Sequence, residues 1–429
     1  MPDIGIVGAG VTGLTAAYDL LKAGHQVTVY EARPYVGGLA AGFRADNWDW
    51  FLERFYHHIF ASDHDIIEFA QELGLGDLLF FKRPITSIYY QGEIYPLDSP
   101  MRVLQFQPLP FVDRLRFGVV AAFLRYDPFW RPFERTTAHR WLSAALGERA
   151  YEVLWQPLLE GKFGAYYKDV NLAWFWARLA KRTPKLGYFK GGFQAFLDGV
   201  AEKVRDLGGL IRLETHVRGI HPESDGRIRC ELRAGDQVHD RVLATCSPHM
   251  LKAHTPKLPD AYTAKLDEMV SMGAVVMVLA LKHSVTDTHY WINIPKREGF
   301  PFLAFVEHTN YIDRTHYGGD TIVYCGDYLP PDHPYFEMSQ DEMLERFIPG
   351  IQRINPDFDR DWIRAHWKFT EIYAQPVPFV NHSRNIPPMR TPIDNLYMAN
   401  MSQVYPWDRG TNYAVEIGRR AARWVAGTP

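Results

Sequence analysis

The run Gly8-Ala9-Gly10-Val11-Thr12-Gly13 follows a short apolar segment at residues 3–7 and opens a stretch where Leu14, Ala17, Leu20 and Leu21 recur at helical spacing. Gly24 stops that helix, and a second apolar strand is expected at residues 26–30, ending at Glu31. Strand, glycine turn, helix and strand make a βαβ unit. In such a unit the first glycine permits the tight turn and the second lets backbone N–H groups reach a pyrophosphate. The third lets the helix pack closely on the strand, with its positive end toward the phosphates. Val11 and Thr12 then lie at the start of the helix, and Glu31 is placed to accept hydrogen bonds from an unphosphorylated ribose.

A second glycine pair narrows the ligand. Arg33-Pro34-Tyr35-Val36-Gly37-Gly38 fits the R-x-x-x-G-G pattern found where a chain passes the pyrophosphate of a flavin dinucleotide again. On these residues the chain resembles the flavin-containing amine oxidase superfamily, which includes protoporphyrinogen oxidases, phytoene desaturases and UDP-galactopyranose mutases. The resemblance implies FAD as the cofactor. It implies cofactor contacts from Gly8, Gly10, Val11, Thr12, Gly13, Glu31, Ala32, Arg33, Gly37, Gly38 and Leu39. Attachment is expected to be non-covalent, because no S-G-G-C-Y segment is present.

Two further segments extend the resemblance. Residues 395–400 read as a strand and residues 410–425 as a helix with Ala414, Ile417, Ala421, Ala422 and Val425 on its buried side. In the family the N-terminus of such a helix faces the flavin N1/O2 edge and stabilises the anionic reduced ring. That role falls to Gly410, Thr411 and Asn412, with Asp408 and Arg409 preceding them. Asn400 stands where the family usually has an acid near the ribityl chain and pyrophosphate. Phe55, Tyr56 and His57 follow the double glycine at the distance where relatives pass the flavin face, and the strand carrying Val217 matches the one whose backbone meets the adenine. His58, Tyr405 and Trp407 are substrate-side candidates; His58-Ile59-Phe60 resembles the mutases' histidine-bearing segment.

The expected fold class is α/β: a discontinuous Rossmann-like FAD-binding domain with an α+β substrate domain. The FAD domain is placed at residues 1–80, 188–255 and 390–429, and the substrate domain at 81–187 and 256–389, as a helical insert plus an antiparallel sheet. Helices are expected to dominate residues 100–182. The apolar run at 272–282 reads as a central strand, a helix is expected at 340–354, and a last strand of the second sheet at 362–370.

Composition bounds the rest. A net charge of −3 with mixed charges argues against a nucleic-acid binder. Cys230, Cys246 and Cys325 form no C-x-x-C pair, which points to a reducing compartment and no metal cluster. The first strand begins almost at Met1, so no leader and a cytoplasmic location are expected. Residues 104–130 interleave aromatic and aliphatic residues with Arg114, Arg116, Arg125 and Arg131. That pattern fits a core or pocket wall in preference to a membrane-surface helix, which stays open as a peripheral contact. The aromatic fraction of 14% suggests a bulky or apolar small-molecule substrate.

What the resemblance implies is an FAD-dependent oxidoreductase that passes a hydride to flavin N5 from a C–H bond of an amine, a porphyrinogen-like ring or an isoprenoid. No catalytic side chain is assigned, since hydride transfer requires no base. The apolar run at 272–282 offers no flavin-facing lysine of the classical amine oxidases, whereas Pro157-Leu158-Leu159-Glu160-Gly161-Lys162-Phe163-Gly164 resembles a substrate-region segment of protoporphyrinogen oxidases. The alternative is a non-redox flavin-dependent sugar-nucleotide mutase, in which Arg178 and Arg182 would contribute to clamping a diphosphate.

Overall fold

The computed structural model describes residues 1–427. Its first layer is a five-stranded parallel sheet in the order Leu210–Arg212, Gln26–Tyr30, Asp3–Val7, Arg241–Ala244, Leu396–Met398. Strands from the N-terminal, middle and C-terminal parts of the chain therefore share one parallel sheet, the kind that binds dinucleotides at its carboxyl ends. Helix Val11–Lys22 packs against Gly192–Asp206 and against the terminal helix Thr411–Ala426, sealing Leu14, Leu20, Val200, Val415 and Val425 into one core.

The second layer is a seven-stranded sheet ordered Ile363–Pro376, Ser271–Leu281, Thr321–Leu329, Ala304–Glu307, His289–Asn293, Ile85–Tyr90, Glu93–Pro96. All neighbours are antiparallel except the pair His289–Asn293 and Ile85–Tyr90. The unbroken apolar run in Ser271–Leu281 follows from burial on both faces. Val276, Val278 and Ala280 join the core shared with the nucleotide-binding layer, while Val275, Met277, Leu279 and Leu281 pack toward helix Gln340–Ile354. That helix begins where expected because Ser339 and Glu342 form a reciprocal capping box.

Helices Phe111–Tyr126, Ala138–Leu146, Gln156–Phe163 and Leu172–Lys181 enclose a third core around Trp174, Phe175, Phe163 and Leu142. The core-wall expectation for residues 104–130 holds for Phe106, Leu109, Phe117 and Leu124, all buried. It fails for the other face of the helix, where Phe111, Leu115, Val119 and Phe123 are exposed. The edge strand Ile363–Pro376 runs six residues beyond its expected end, paired with Ser271–Leu281 along its length. A small sheet of Ile59–Phe60, Leu186–Phe189 and Leu79–Lys82 has no counterpart in the sequence reading, because two to four residues are too few to show alternation.

Glu53 sits at the junction of these layers with no exposed surface. Its carboxyl accepts from Phe193 N and from the Tyr188 hydroxyl, each at 2.7 Å. Burial nevertheless pushes it up to about 7. The folded state thus favours the protonated acid, so stability from this group is complete below the unfolded value of 4.5 and is lost as pH rises through about 7. Urea titrations of wild type and Glu53→Gln should show wild type losing about 3 kcal/mol relative to the variant across that window. A constant difference would show that Glu53 is ionised throughout.

Candidate functional site

The carboxyl ends of the parallel strands hold the first half of the site. Gly10 and Gly37 form an isolated parallel bridge, and Gly37 N donates to Ala9 O at 2.9 Å. A Cβ on Gly38 would sit 3.2 Å from the Gly10 Cα, and one on Gly13 would sit 2.0 Å from Gly8 O. The two glycine motifs are therefore one surface. Gly10 is also the N-cap of helix Val11–Lys22, and no side chain caps it. The first-turn N–H groups of Val11, Thr12 and Gly13 lack intrahelical acceptors and suit an anion.

The Glu31 carboxylate accepts from Ala9 N and Arg33 N, both at 2.9 Å. Thr215 N donates to Glu31 O at 2.8 Å and Glu214 N to Arg33 O at 3.1 Å, which brings the segment leading to Val217 beside the ribose position. Val217 itself is buried in a core cluster with Tyr30. Ala32 and Arg33 are exposed and Leu39 half-buried along the same rim. A glycine-floored slot, an uncapped helix start and a carboxylate at the second strand's end fit a dinucleotide pyrophosphate and ribose.

The second half lies where the nucleotide layer meets the large sheet and the helical layer. Tyr56 stands edge-on to Trp291 at 4.7 Å and to Tyr324 at 5.8 Å, and His58 edge-on to Trp291 at 6.1 Å. His57 Nδ1 lies 2.5 Å from Phe55 O, within its own loop. Burial depresses both histidines, His57 to about 4 and His58 to about 3; the charges of Arg182, His57 and Arg178 add to the effect on His58. Both are neutral imidazoles at neutral pH. His58 Nδ1 is buried without a hydrogen-bond partner.

Asp408 is the hub of this half. It accepts from Arg178 Nη1 at 2.6 Å and from Trp174 Nε1 at 3.0 Å, and Lys162 Nζ lies 3.5 Å away. Burial alone would raise the Asp408 carboxyl, but the charges of Lys162, Arg178 and Arg409 outweigh it and hold the group below its ordinary range. Lys162 donates to Gln375 Oε1 at 2.9 Å and lies over the rings of Tyr328 and Trp174. Burial, reinforced by Arg178 and Arg409, drives its amine well below the usual lysine value despite the pull of Asp408. Arg409 bonds the Tyr328 hydroxyl and stacks over that ring.

Gly410 precedes helix Thr411–Ala426 with no side-chain cap, so the first-turn N–H groups lack intrahelical acceptors. Thr411 is buried there, and the Asn412 side chain accepts from Ile66 N and donates to Asp65, tying down helix His64–Glu72. Asn400 is engaged differently: it accepts from Ser402 N and the Tyr373 hydroxyl and donates to Cys246 O, so its side chain acts as a cap. The substrate-side candidates separate. Trp407 stacks on Tyr413 and lies beside Trp176, whereas Tyr405 bonds Glu134 and packs on Trp130 and His382. Lys162, Trp174, Gln375, Trp291 and Tyr328 were missed as site residues. Only Lys162, in the segment 157–164, carried a readable signal: a lysine in an apolar helix.

Known proteins match the chain over nearly its whole length. The profile of the family described as flavin containing amine oxidoreductase matches residues 11–426. A Synechococcus elongatus protein named "Probable zeta-carotene desaturase" is 23% identical, the match covering 98% of each chain. The 15-cis-phytoene desaturase of Arabidopsis thaliana is 21% identical over 92% of this chain and 74% of its own. Among solved structures, a protoporphyrinogen oxidase-like protein from Exiguobacterium sp. 255-15 has a TM-score of 0.79 at 19% identity, covering 100% of this chain and 99% of that one. A reduced UDP-galactopyranose mutase has a TM-score of 0.76 at 18% identity, covering 100% and 96%. The chain belongs to the flavin-containing amine oxidoreductase family and is an FAD-dependent oxidoreductase.

Proposed function

We propose that this enzyme oxidises a C–H bond of a bulky, apolar substrate, of isoprenoid or porphyrinogen-like character, at the cleft between Tyr56 and Asp408. The observation that carries the reading is aromatic: Trp174 and Trp407 line the cavity at Asp408 and Arg409, Tyr328 lies under the Arg409 guanidinium, and Tyr56, packed against Trp291, feels the charge of Arg409. The desaturase names among the curated relatives favour the isoprenoid class. Bound FAD supplies the two-electron acceptor for the hydride at N5.

The chain's own residues supply orientation, charge and proton handling. The uncapped start of helix Thr411–Ala426 would offer backbone donors and the positive end of a helix dipole to a bound flavin ring. Tyr56 and Trp291 exclude water from the reacting carbon, and the neutral His58 offers a single hydrogen bond there. Lys162, shifted toward its free amine, is the candidate acceptor for the proton lost when a double bond forms.

A second reading is a flavin-dependent sugar-nucleotide mutase. It is favoured by the cationic set of Arg178, Arg409 and Arg182, whose charges bear on Asp408, Tyr328 and His58. Product mass separates the two. Oxidation yields a product lighter by two hydrogen atoms, with stoichiometric consumption of an electron acceptor. A product of unchanged mass, formed from a UDP-sugar only after the flavin is reduced, would replace the oxidase reading.

A further inference from the structure

The most exposed apolar surface of the molecule lies on one helix. Phe111–Tyr126 turns only Phe117 and Leu124 fully into the core. On the opposite side Phe111, Val112, Leu115, Val119, Phe123 and Tyr126 stand 45–78% exposed. Phe129 continues the face just past the helix end at 73%. At about 100° per residue these positions, with Gly118 and Ala122, fall within one arc of roughly 140°. No charged residue interrupts the arc; Arg116 borders one edge and Arg125 the other.

The charge around the patch is one-sided. Residues 101–135 hold six arginines and three carboxylates, in a chain whose net charge is −3. The carboxylates are turned aside: Asp113 pairs with Arg149, Asp127 accepts from Phe129 N, and Glu134 holds Ser383 and Tyr405. Arg102, Arg131 and Arg135 remain exposed around the rim. Arg116 and Arg125 anchor the helix through Ala145 O, Ala144 O, Leu179 O and Arg182 O while keeping exposed, charged side chains at its borders.

We propose that helix Phe111–Tyr126 is a docking face for an anionic lipid surface, lying in the interface with its apolar arc among acyl chains and its arginines at the headgroups. Charge complementarity selects this occupant: a second copy would set two arginine-rich rims against each other. No helix among the described residues is long and apolar enough to span a membrane, so the contact is peripheral. The face also leads toward the site. Trp130 meets Tyr405 at 5.5 Å, and Trp176 donates to Asp127 O while its ring lies 5.6 Å from Trp407. An apolar substrate dissolved in the lipid would thus enter beside the loop that carries Asp408. The proposal goes beyond the substrate reading and stands without it, since binding is measured with no turnover.

The test is flotation of the FAD-loaded protein with vesicles of phosphatidylcholine, alone or with about a third phosphatidylglycerol. Wild type should float with the anionic vesicles at least about tenfold more strongly than with phosphatidylcholine alone, and lose that preference in high salt. Leu115→Asp/Val119→Asp, two exposed positions, should keep its flavin and melting temperature and bind at least about tenfold more weakly. Arg131→Gln/Arg135→Gln should weaken binding to anionic vesicles only. Wild type that stays unbound on anionic vesicles, or a double aspartate variant that binds equally well, overturns the proposal. So does a wild-type dimer that the double aspartate variant converts to monomer, because the face then receives a second copy.

Discussion

Gly10→Val is expected to leave a folded protein that no longer retains FAD. Gly10 has φ −71° and ψ 176°, a backbone that any residue adopts, so the exchange brings no strain. Its Cβ would find only the Gly38 Cα at 3.8 Å, an ordinary contact. What the valine methyls would occupy is the space over the uncapped start of helix Val11–Lys22, through which backbone donors reach a pyrophosphate. Loss of those charge-assisted bonds should weaken FAD by at least about a hundredfold, roughly 3 kcal/mol. Flavin absorbance per mole of purified protein, with a fluorescence titration of the apoprotein, reads this directly. A valine variant that copurifies with stoichiometric FAD would move the pyrophosphate elsewhere. Gly13→Val is no substitute, because its Cβ would collide with Gly8 O and damage the fold itself.

The second large effect is expected at Asp408. Its side chain is 19% exposed and faces Arg178 and Lys162, at 18% and 14%. Asp408→Ala strands the Arg178 guanidinium and takes the one counter-charge from Lys162, whose amine burial already drives well below its usual value; removing one partner of a buried ion pair costs about 3–5 kcal/mol. Asp408→Asn keeps an acceptor for Trp174 Nε1 and should cost less. Adding Lys162→Met to Asp408→Ala removes one uncompensated amine and should recover at least about 1 kcal/mol, a coupling that a double-mutant cycle isolates. Denaturant unfolding of wild type, the three single variants and the double variant gives the values. An alanine variant within about 0.5 kcal/mol of wild type would show the cluster to be hydrated and the pairings unimportant.

The nucleotide half was legible in the sequence because its chemistry is local. Gly8, Gly37 and Gly38 take positive φ, Gly13 lies against Gly8 O, and an acid follows some 20 residues on, so each signal can be read from a short stretch of sequence. The helix at 340–354 was equally readable, since Ser339 and Glu342 state its beginning. The substrate half was not. Lys162, Arg178, Gln375 and Asp408 are 230 residues or more apart at their extremes and meet only because the helical layer folds against the C-terminal loop. No spacing rule encodes that contact. The exposed arc of Phe111–Tyr126 was misread for a related reason: apolar periodicity shows that a helix has an apolar face, and Phe117 with Leu124 already satisfies the core side. Which of two apolar faces meets protein is a tertiary fact.

The cavity at Asp408 and Arg409, with its aromatic neighbours, is proposed to hold a substrate C–H bond for oxidation. Anaerobic rapid mixing of the FAD-loaded enzyme with a lipid-dispersed isoprenoid or a porphyrinogen, followed at the flavin absorbance maximum, tests it most directly. One flavin should bleach per substrate oxidised, at a rate strongly reduced in Lys162→Met. An absorbance that stays unchanged with every apolar substrate, while UDP-sugars turn over once dithionite has reduced the flavin, would contradict it.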